Sequence, residues 1–466
     1  MMIIISAITV HPARPFLRRA RQLVAVAAIP LALLVAGCDE VLTVEDPDII
    51  NPEDVQSAAG AEAVRVGALA RFNAATSGSE SLFLLGGLFA DEYRSGDTFI
   101  DRQQVDQRSM AVRNTFLTTA NRNLHRARLS AEQAVELLQL YRPNAPGWQL
   151  GEMYLIQAFT VNLAAEHYCN GVIFSSVVDG AEVYGDAISV QEAFQRALGH
   201  VTDGLAAVTG TTTDDLRVRH ALQVTHGRIL LNLDRPAEAA TAVNGVPDDF
   251  RYEMFHSATT NSNNMWNWNN LARRYTVSDL EGGNGMDFVS ANDPRVPTCA
   301  GGDAACQAVG VTNANVEDVS GPLFAQLIWP ARESPVAILD GIAARMIEAE
   351  AQLRAGDFPA ALVTMNAARA TVPGLAGDLT DPGTDAARVD LLFRERAFWF
   401  FSRGYRVGDL RRLVRQYGRT PDSVFPTGAW HKGGVYGSDV TIPLPFEEAN
   451  NPNVRDESRL CIDRNA

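Results

Sequence analysis

Residues 342–365, IAARMIEAEAQLRAGDFPAALVTM, predict two helices joined by a tight turn. Spacings of three and four place four apolar residues on one face of the first helix: Ile342, Met346, Ala349 and Leu353. Gly356 is suited to end that helix. Asp357 can cap the free N–H groups of the second helix, and Pro359 in its first turn has no N–H to leave unpaired. The stretch is typical of a helix-turn-helix module.

A second, weaker copy of this pattern lies earlier in the chain. A helical run over residues 216–233 is followed by Asp234, Arg235, Pro236 and Ala237, and then by a helical run to Val243. We expect Asp234 to cap its helix as Asp357 does. Two copies predict modules of the tetratricopeptide type. The alternative is an unrelated pair of α-hairpins.

Helical spacing also dominates the rest of the chain, and strand patterns are scarce. The predicted helices cover residues 54–72, 113–141, 149–168, 190–208 and 216–233. We therefore expect a mainly α fold, a single body over residues 54–466 built as a tetratricopeptide-like array of helix pairs. Residues 250–335 break the pattern with many Asn and Gly, which predicts a large, loop-rich but ordered insertion.

The N-terminus reads as an export signal. Arginines precede an apolar run from Leu23 to Val35 that is too short to span a bilayer. Small residues then lead into Cys38, as in a bacterial lipobox, so we expect residues 1–37 to be removed and Cys38 to be acylated. Residues 38–53 would form an acidic, extended leader, and the acyl chains would anchor the protein to a membrane. The alternative is an ordinary signal peptide with an incidental cysteine.

Four further cysteines are compatible with two disulfides in an exported protein: Cys169, Cys299, Cys306 and Cys461. Three pairings are possible. The short loop between Cys299 and Cys306 favours that pair and leaves Cys169 with Cys461, while buried free thiols are the alternative. No CxxC pair and no HExxH helix is present, so we expect no metal site.

The charge balance and the missing motifs exclude several classes of protein. The net charge is -15, which argues against nucleic acid as a partner. The only lysine, Lys432, follows His431, so the chain has no Walker A loop. Dinucleotide fingerprints and a GxSxG elbow are also absent. We expect no cofactor and no enzymatic activity.

The insertion contains the best candidates for ligand contact: Trp266, Trp268 and Tyr275. Flat rings of this kind stack on the apolar face of a sugar, and the neighbouring Asn side chains can pair with hydroxyls. In an extended segment the rings of Trp266 and Trp268 would lie on one side. The alternative is that these rings pack against the helical body, and Trp430 and Tyr436 in a later Gly-rich loop present the same choice.

Among the carboxylates, the pair Asp91 and Glu92 beside Tyr93 is the most suggestive of glycoside hydrolysis. The structural alternative is a helix end whose carboxylates pair with Arg94 or Arg102.

Four segments of the chain, taken in order, carry a family likeness. They are Cys38 with residues 41–54, the hairpin at residues 349–357, the arginine-rich stretch at residues 395–412, and the tail at residues 442–453. With these motifs the chain resembles SusD/RagB-type outer-membrane lipoproteins. Glu395 and Asp409 lie among several arginines in the third segment, which fits a helix held by ion pairs.

The resemblance implies an array of helix pairs supporting a loop-rich half. It also implies a surface-exposed, lipid-anchored protein of the outer membrane that captures an oligomeric nutrient such as a glycan for a SusC-like TonB-dependent transporter. The sequence departs from the family pattern at residues 167–171 and at Arg403. The alternative functions are a helical-repeat lipoprotein that assembles other envelope proteins, and a lipid-anchored glycosidase.

Overall fold

The computed structural model describes residues 55–178, 181–375, 377–454 and 460–466. The predicted signal segment 1–37, the leader 38–53 and Cys38 lie outside the described residues. Residues Val55–Ala466 form one compact unit. Within its described part, no helix combines the length and the apolar character needed to cross a membrane.

The fold is mainly α, as predicted. The helices are α1 (Ala58–Ser77), α2 (Leu82–Phe89), α3 (Ile100–Asp106), α4 (Thr115–Tyr141), α5 (Gly147–His167), α6 (Val190–Ala207), α7 (Thr213–Asn232), α8 (Pro236–Ala242), α9 (Asn264–Trp266), α10 (Ala304–Ala308), α11 (Gly341–Arg354), α12 (Phe358–Ala370), α13 (Asp385–Trp399), α14 (Arg406–Tyr417) and α15 (Pro421–Val424). A π turn spans Asn267–Leu271, and 3-10 turns span Glu281–Gly283 and Phe446–Asn450.

Strands are short and form antiparallel pairs in the described residues. They are β1 (Tyr93–Ser95), β2 (Val172–Ile173), β3 (Ser176–Val178), β4 (Ala181–Val183), β5 (Ala187–Ile188), β6 (Arg251–Met254), β7 (Tyr275–Val277), β8 (Thr298–Ala300), β9 (Phe324–Gln326) and β10 (Val336–Asp340). The pairs are β1 with β7, β2 with β5, β3 with β4, β6 with β10, and β8 with β9. The insertion at 250–335 is therefore ordered, as expected.

Successive helices pack in a chain of neighbours. Helix α1 packs on α4, α4 on α5, α5 on α6, and α6 on α7. Further along, α8 packs on α11, α11 on α12 and α13, and α14 returns to α5 and α2. The closure of α14 on the early helices joins both ends of the array around one apolar core.

The two turn modules form the predicted helix pairs, but only one has the expected cap. The carboxylate of Asp357 accepts the N–H of Ala360 at 3.1 Å. Asp234 does not cap α8, because its own backbone is left-handed (φ 59°) and Arg235 takes the cap position. Instead, the carboxylate of Asp234 pairs with Arg354 of the other module at 2.8 Å.

Two disulfides are present, with the pairing that the loop length favoured. Cys169 directly follows Tyr168, the residue that caps the C-terminal end of α5. Its disulfide with Cys461 ties the last described segment of the chain to that end of the helix. Cys299 pairs with Cys306 inside a small separate apolar cluster of the insertion. The segment around Ile442 lies beside the Cys169–Cys461 disulfide. The N–H of Ile442 donates to the carbonyl of His167, and the N–H of Cys169 donates to the carbonyl of Ile442.

A buried network of carboxylates and guanidinium groups fixes α11, α13 and α14. Both carboxylate oxygens of Glu350 accept from Arg412, at 2.6 and 2.8 Å, and the Tyr417 hydroxyl donates to the same carboxylate at 2.7 Å. Arg396 holds Asp409 through two hydrogen bonds of 2.8 Å. Glu395 pairs with Arg295 and Arg369. The arginine-rich stretch is structural, as its sequence suggested.

Replacing Glu350→Gln should lower the free energy of unfolding by about 3–5 kcal/mol, because it removes the charge of the nearer of the two buried carboxylates that pair with Arg412 and leaves only Asp409 at 3.2 Å. Urea unfolding at neutral pH measures this change. Arg388→Gln removes surface ion pairs with Asp381 and Asp385 and is the matched control, so its unfolding midpoint should stay close to that of the wild type. Equal midpoints for both variants would contradict a structural role for the network.

Burial opposes ionisation of Glu350, but Arg412 and Arg396 outweigh it and hold its pKa below the usual value. The stability that depends on Glu350 is therefore present above the usual glutamate pKa and is lost as the pH falls through the folded-state pKa.

Candidate functional site

An aromatic surface of one exposed ring, Phe99, and one half-buried ring, Trp268, lies where β1 runs into α3. The ring of Phe99 is 51% exposed and packs edge-on against Phe116, with 6.0 Å between ring centres. The guanidinium of Arg274 lies between Phe99 and Trp268, at 5.1 and 5.8 Å from their ring centres. Leu271 and Ile100, both more than half exposed, are the apolar neighbours along the chain. We name Phe99, Trp268 and Arg274 the aromatic ledge.

Asp97 holds the ledge in place. This fully buried carboxylate pairs with Arg274 at 3.1 Å and with Arg102, and it also accepts the N–H of Phe99 at 2.7 Å. Arg102 lies beneath the ledge, 4.5 Å from the centre of the Trp268 ring. Its guanidinium also donates to Glu80 at 2.7 Å. Because fixed ion pairs hold the guanidinium groups, the rings are pre-positioned and little side-chain entropy is left to lose on binding.

A polar cavity of about 390 Å³ is built on the same strand, β1. Its walls include Arg94 of β1, Glu281 of the 3-10 turn and His431 of the later Gly-rich loop. The two loops approach closely at Gly282, where a Cβ atom would lie 2.5 Å from the backbone nitrogen of Thr427. Gly282 also has a φ of 62°, so the contact and the conformation both require glycine.

Charged groups meet behind this cavity. His431 Nδ1 lies 3.6 Å from Glu281 and its Nε2 lies 3.7 Å from Asp106. Glu281 also pairs with Arg94 at 3.3 Å and accepts a hydrogen bond from the Tyr436 hydroxyl. The cavity therefore presents both donors and acceptors, the combination that recognises hydroxyl groups.

Burial shifts the pKa values in this cluster. It raises the pKa of Asp106 to about 7. For His431, burial favours the neutral ring, but the carboxylates of Glu281 and Asp106 outweigh it and raise the pKa. In the ledge, burial raises the pKa of Glu80 to about 7.

This chain is similar to known proteins in its structure. No protein-family model matches the chain, and no curated protein matches its sequence. A SusD superfamily protein from Parabacteroides distasonis aligns with a TM-score of 0.62 and 12% identity, covering 85% of this chain and 98% of the other. The chain has the SusD-like fold.

Other SusD-like structures align similarly. A SusD superfamily protein from Bacteroides thetaiotaomicron gives a TM-score of 0.61 at 12% identity over 85% of this chain and 98% of that one. A protein from Bacteroides vulgatus described as a SusD-like carbohydrate binding protein gives 0.56 at 11% identity, over 76% and 83% of the two chains. The resemblance read from the sequence is confirmed in the fold.

Within this SusD-like fold, the three insertion rings do not form the expected shared platform. Trp266 and Trp268 lie in consecutive helical turns, so the expectation that an extended segment puts both on one side was wrong. Trp266 lies under Arg332 instead, 5.4 Å from its guanidinium carbon. Tyr275 is fully buried against Tyr93 and cannot face a ligand. Of the three residues, Trp268 alone belongs to the ledge.

The rings of the late Gly-rich loop are also largely buried. Trp430 donates from Nε1 to Asp106 at 3.2 Å, and Tyr436 bonds Glu281, so both support the polar cavity from behind. Phe99 and Arg274 were missed at the sequence level. A lone phenylalanine ahead of a short helix gives no periodic signal, and its exposure depends on packing between distant segments.

The carboxylate pair Asp91 and Glu92 does not form a hydrolytic site. Both residues are buried, at 0% and 1% exposure. Asp91 binds Arg406 through two hydrogen bonds of 2.6 Å, so the expected partners Arg94 and Arg102 were wrong. Glu92 accepts the N–H of Ser402 at 2.7 Å, and burial raises its pKa to about 8.

The pH dependence of stability should reflect the cluster behind the cavity. The folded-state pKa of Asp106 is raised, so the stability that it contributes is complete below about pH 4 and is lost as the pH rises towards about 7. His431, whose pKa is also raised, adds a loss in the same direction. Between about pH 5 and pH 8 the melting temperature of Asp106→Asn should therefore fall less steeply than that of the wild type. Calorimetry across this range checks the expectation, and parallel slopes would refute it.

Proposed function

We propose that this chain is a non-enzymatic binding protein that captures an oligosaccharide on its loop-rich side. The aromatic ledge supports this proposal most strongly. It offers a half-exposed phenyl ring beside an indole, and their guanidinium neighbours are already paired with buried carboxylates. Such rings bury the apolar face of a sugar, while the adjoining cavity with Arg94, Glu281 and His431 pairs with hydroxyls.

The wider role that we propose is nutrient uptake at the outer membrane. Cys38 would carry the lipid anchor, and a SusC-like TonB-dependent transporter would receive the ligand and supply the energy. The SusD-like fold supports this role, as does the description of one structural neighbour as a carbohydrate binding protein. A scaffold that only assembles envelope proteins would not need the exposed ledge.

Affinity electrophoresis in gels that contain soluble plant or microbial polysaccharides tests the proposal. At least one polysaccharide should retard the wild-type protein. Phe99→Ala and Trp268→Ala should each weaken that binding about tenfold or more, because truncating an aromatic anchor removes most of its contact area.

Phe255→Ala is the matched control. Phe255 is an exposed phenylalanine, at 73%, and lies outside both the ledge and the polar cavity, so its loss should leave retardation unchanged. Equal binding by the wild type, Phe99→Ala and Trp268→Ala would place the ligand elsewhere. A lack of retardation by every polysaccharide would favour the scaffold.

A further inference from the structure

Two apolar residues beside the polar cavity have a backbone conformation that such residues rarely adopt. Leu280 has a φ of 54° and Val319 has a φ of 59°, both in the left-handed region. A Cβ atom makes that region costly, and a bulky or β-branched residue is a genuine exception there. Two of the other left-handed positions carry Asp234 and Asn292, the residue types that tolerate this conformation best.

Both residues are also exposed to solvent. Leu280 is 53% exposed and Val319 is 70% exposed, so burial offsets little of the cost of either conformation. Leu280 lines the polar cavity and directly precedes the 3-10 turn that begins at Glu281. Residues held in such conformations cluster at ligand-binding sites, where the surrounding structure enforces them.

Hydrogen bonds and an ion pair enforce the two conformations here. The N–H of Leu280 donates to the carbonyl of Met286 at 2.9 Å. Next to Val319, the carboxylate of Asp318 pairs with Lys432, the only lysine of the chain. These contacts use the backbone or a neighbouring side chain, so the side chains of Leu280 and Val319 are not what holds their loops in place.

Arg94 connects the two loops. Its Nε lies 3.3 Å from the carboxylate of Glu281, the residue after Leu280. Its Nη2 lies 3.9 Å from the point where a Cβ atom on Gly321 would be, two residues after Val319. The Arg94 side chain is 25% exposed, so its guanidinium can donate to a ligand hydroxyl. Both loops that contact this donor therefore carry an exposed apolar residue, and we name Leu280 and Val319 the apolar rim.

We propose that the apolar rim selects a sugar residue that carries a methyl group, as 6-deoxyhexoses and N-acetylated hexoses do. The hydroxyls of that residue pair with Arg94, Glu281 and His431 in the polar cavity. Its methyl group packs against Leu280 and Val319. A hydroxyl in the same place would lose its water against apolar side chains without gaining a partner. This inference rests on the proposed capture of an oligosaccharide at the ledge and the cavity, and it adds the class of sugar.

Saturation-transfer NMR titrations of the full-length protein with matched pairs of sugars test the preference. L-Fucose is compared with L-galactose and L-rhamnose with L-mannose, since the members of each pair differ only in a methyl or hydroxymethyl group. N-Acetylglucosamine is compared with glucose and tests an acetyl group as the source of the methyl. In at least one pair the methyl-bearing sugar should bind about tenfold more tightly, the lower end of what such a group contributes in an apolar pocket. Equal affinities within every pair would overturn the proposal.

Leu280→Asn and Val319→Asn separate a ligand contact from a structural role. Asparagine tolerates the left-handed conformation, so each variant should melt at or above the wild-type temperature. The affinity of each for the preferred methyl-bearing sugar should fall several-fold or more. Leu140→Asn changes a leucine of α4 that is 69% exposed and is the matched control, so it should bind like the wild type. Lower melting temperatures with unchanged affinity in both rim variants would show a structural role and overturn the proposal.

The polysaccharide gels separate a failure of this inference from a failure of the proposed function. If a polysaccharide retards the wild type and Phe99→Ala weakens that binding, while both rim variants bind every sugar like the wild type, the ledge is supported and the role of the rim is refuted. If no polysaccharide retards the protein and no sugar binds, both proposals are refuted.

Discussion

The structure depends on the pairing of arginines buried inside the helical body. Arg228 with Glu166, Arg406 with Asp91, and Arg412 with Glu350 are all almost inaccessible to solvent. A buried charge without a partner costs several kcal/mol, so each pair fixes the distance and orientation of the two elements that carry it. The buried Arg411 fixes the backbone at the end of α5 in a similar way. Its Nη1 donates to the carbonyls of Ala165, Glu166 and Tyr168. These contacts hold α14 against α5 and so close the array.

The same pairs extend from the helical body to the loop-rich side. Asp91 accepts from Arg406 and also takes the N–H of Met286 at 2.9 Å, which ties the 3-10 turn region to α14. Glu92 takes the N–H of Ser402, so the start of β1 is fixed from two directions. Strand β1 then leads directly to Asp97, which orients the guanidinium groups beneath the ledge. The position of an exposed ring such as Phe99 thus follows from ion pairs in the core.

The sequence predicted the helical array well because helices are local. Apolar spacing of three and four located the main helices, and the Asp-Phe-Pro-Ala turn at residues 357–360 located one module. Contacts between distant segments could not be predicted in this way. Asp91 and Arg406 are 315 positions apart, and spacing along the chain does not relate them. The near neighbours Arg94 and Arg102 were therefore chosen wrongly.

The roles of the asparagines in the insertion could not be predicted from the sequence either. Their abundance predicted a loop-rich segment and hydrogen bonds to sugar hydroxyls, but several of them instead hold the insertion together. Asn263 caps the turn that begins at Asn264, and its Oδ1 accepts the N–H of Trp266 at 3.1 Å. Asn269 donates to the carbonyls of Tyr275 and Phe324, which joins the π turn to β7 and β9. These hydrogen bonds make the tryptophan segment helical and separate Trp266 from the ledge.

We propose that the chain is the binding component of a nutrient-uptake system. Purification through a C-terminal tag from native membranes in mild detergent, followed by mass spectrometry, tests this proposal. We expect a TonB-dependent transporter in near-stoichiometric amount, and its gene neighbours would indicate the class of substrate. Recovery of envelope-assembly proteins instead, or of no partner, would contradict it and favour a scaffold.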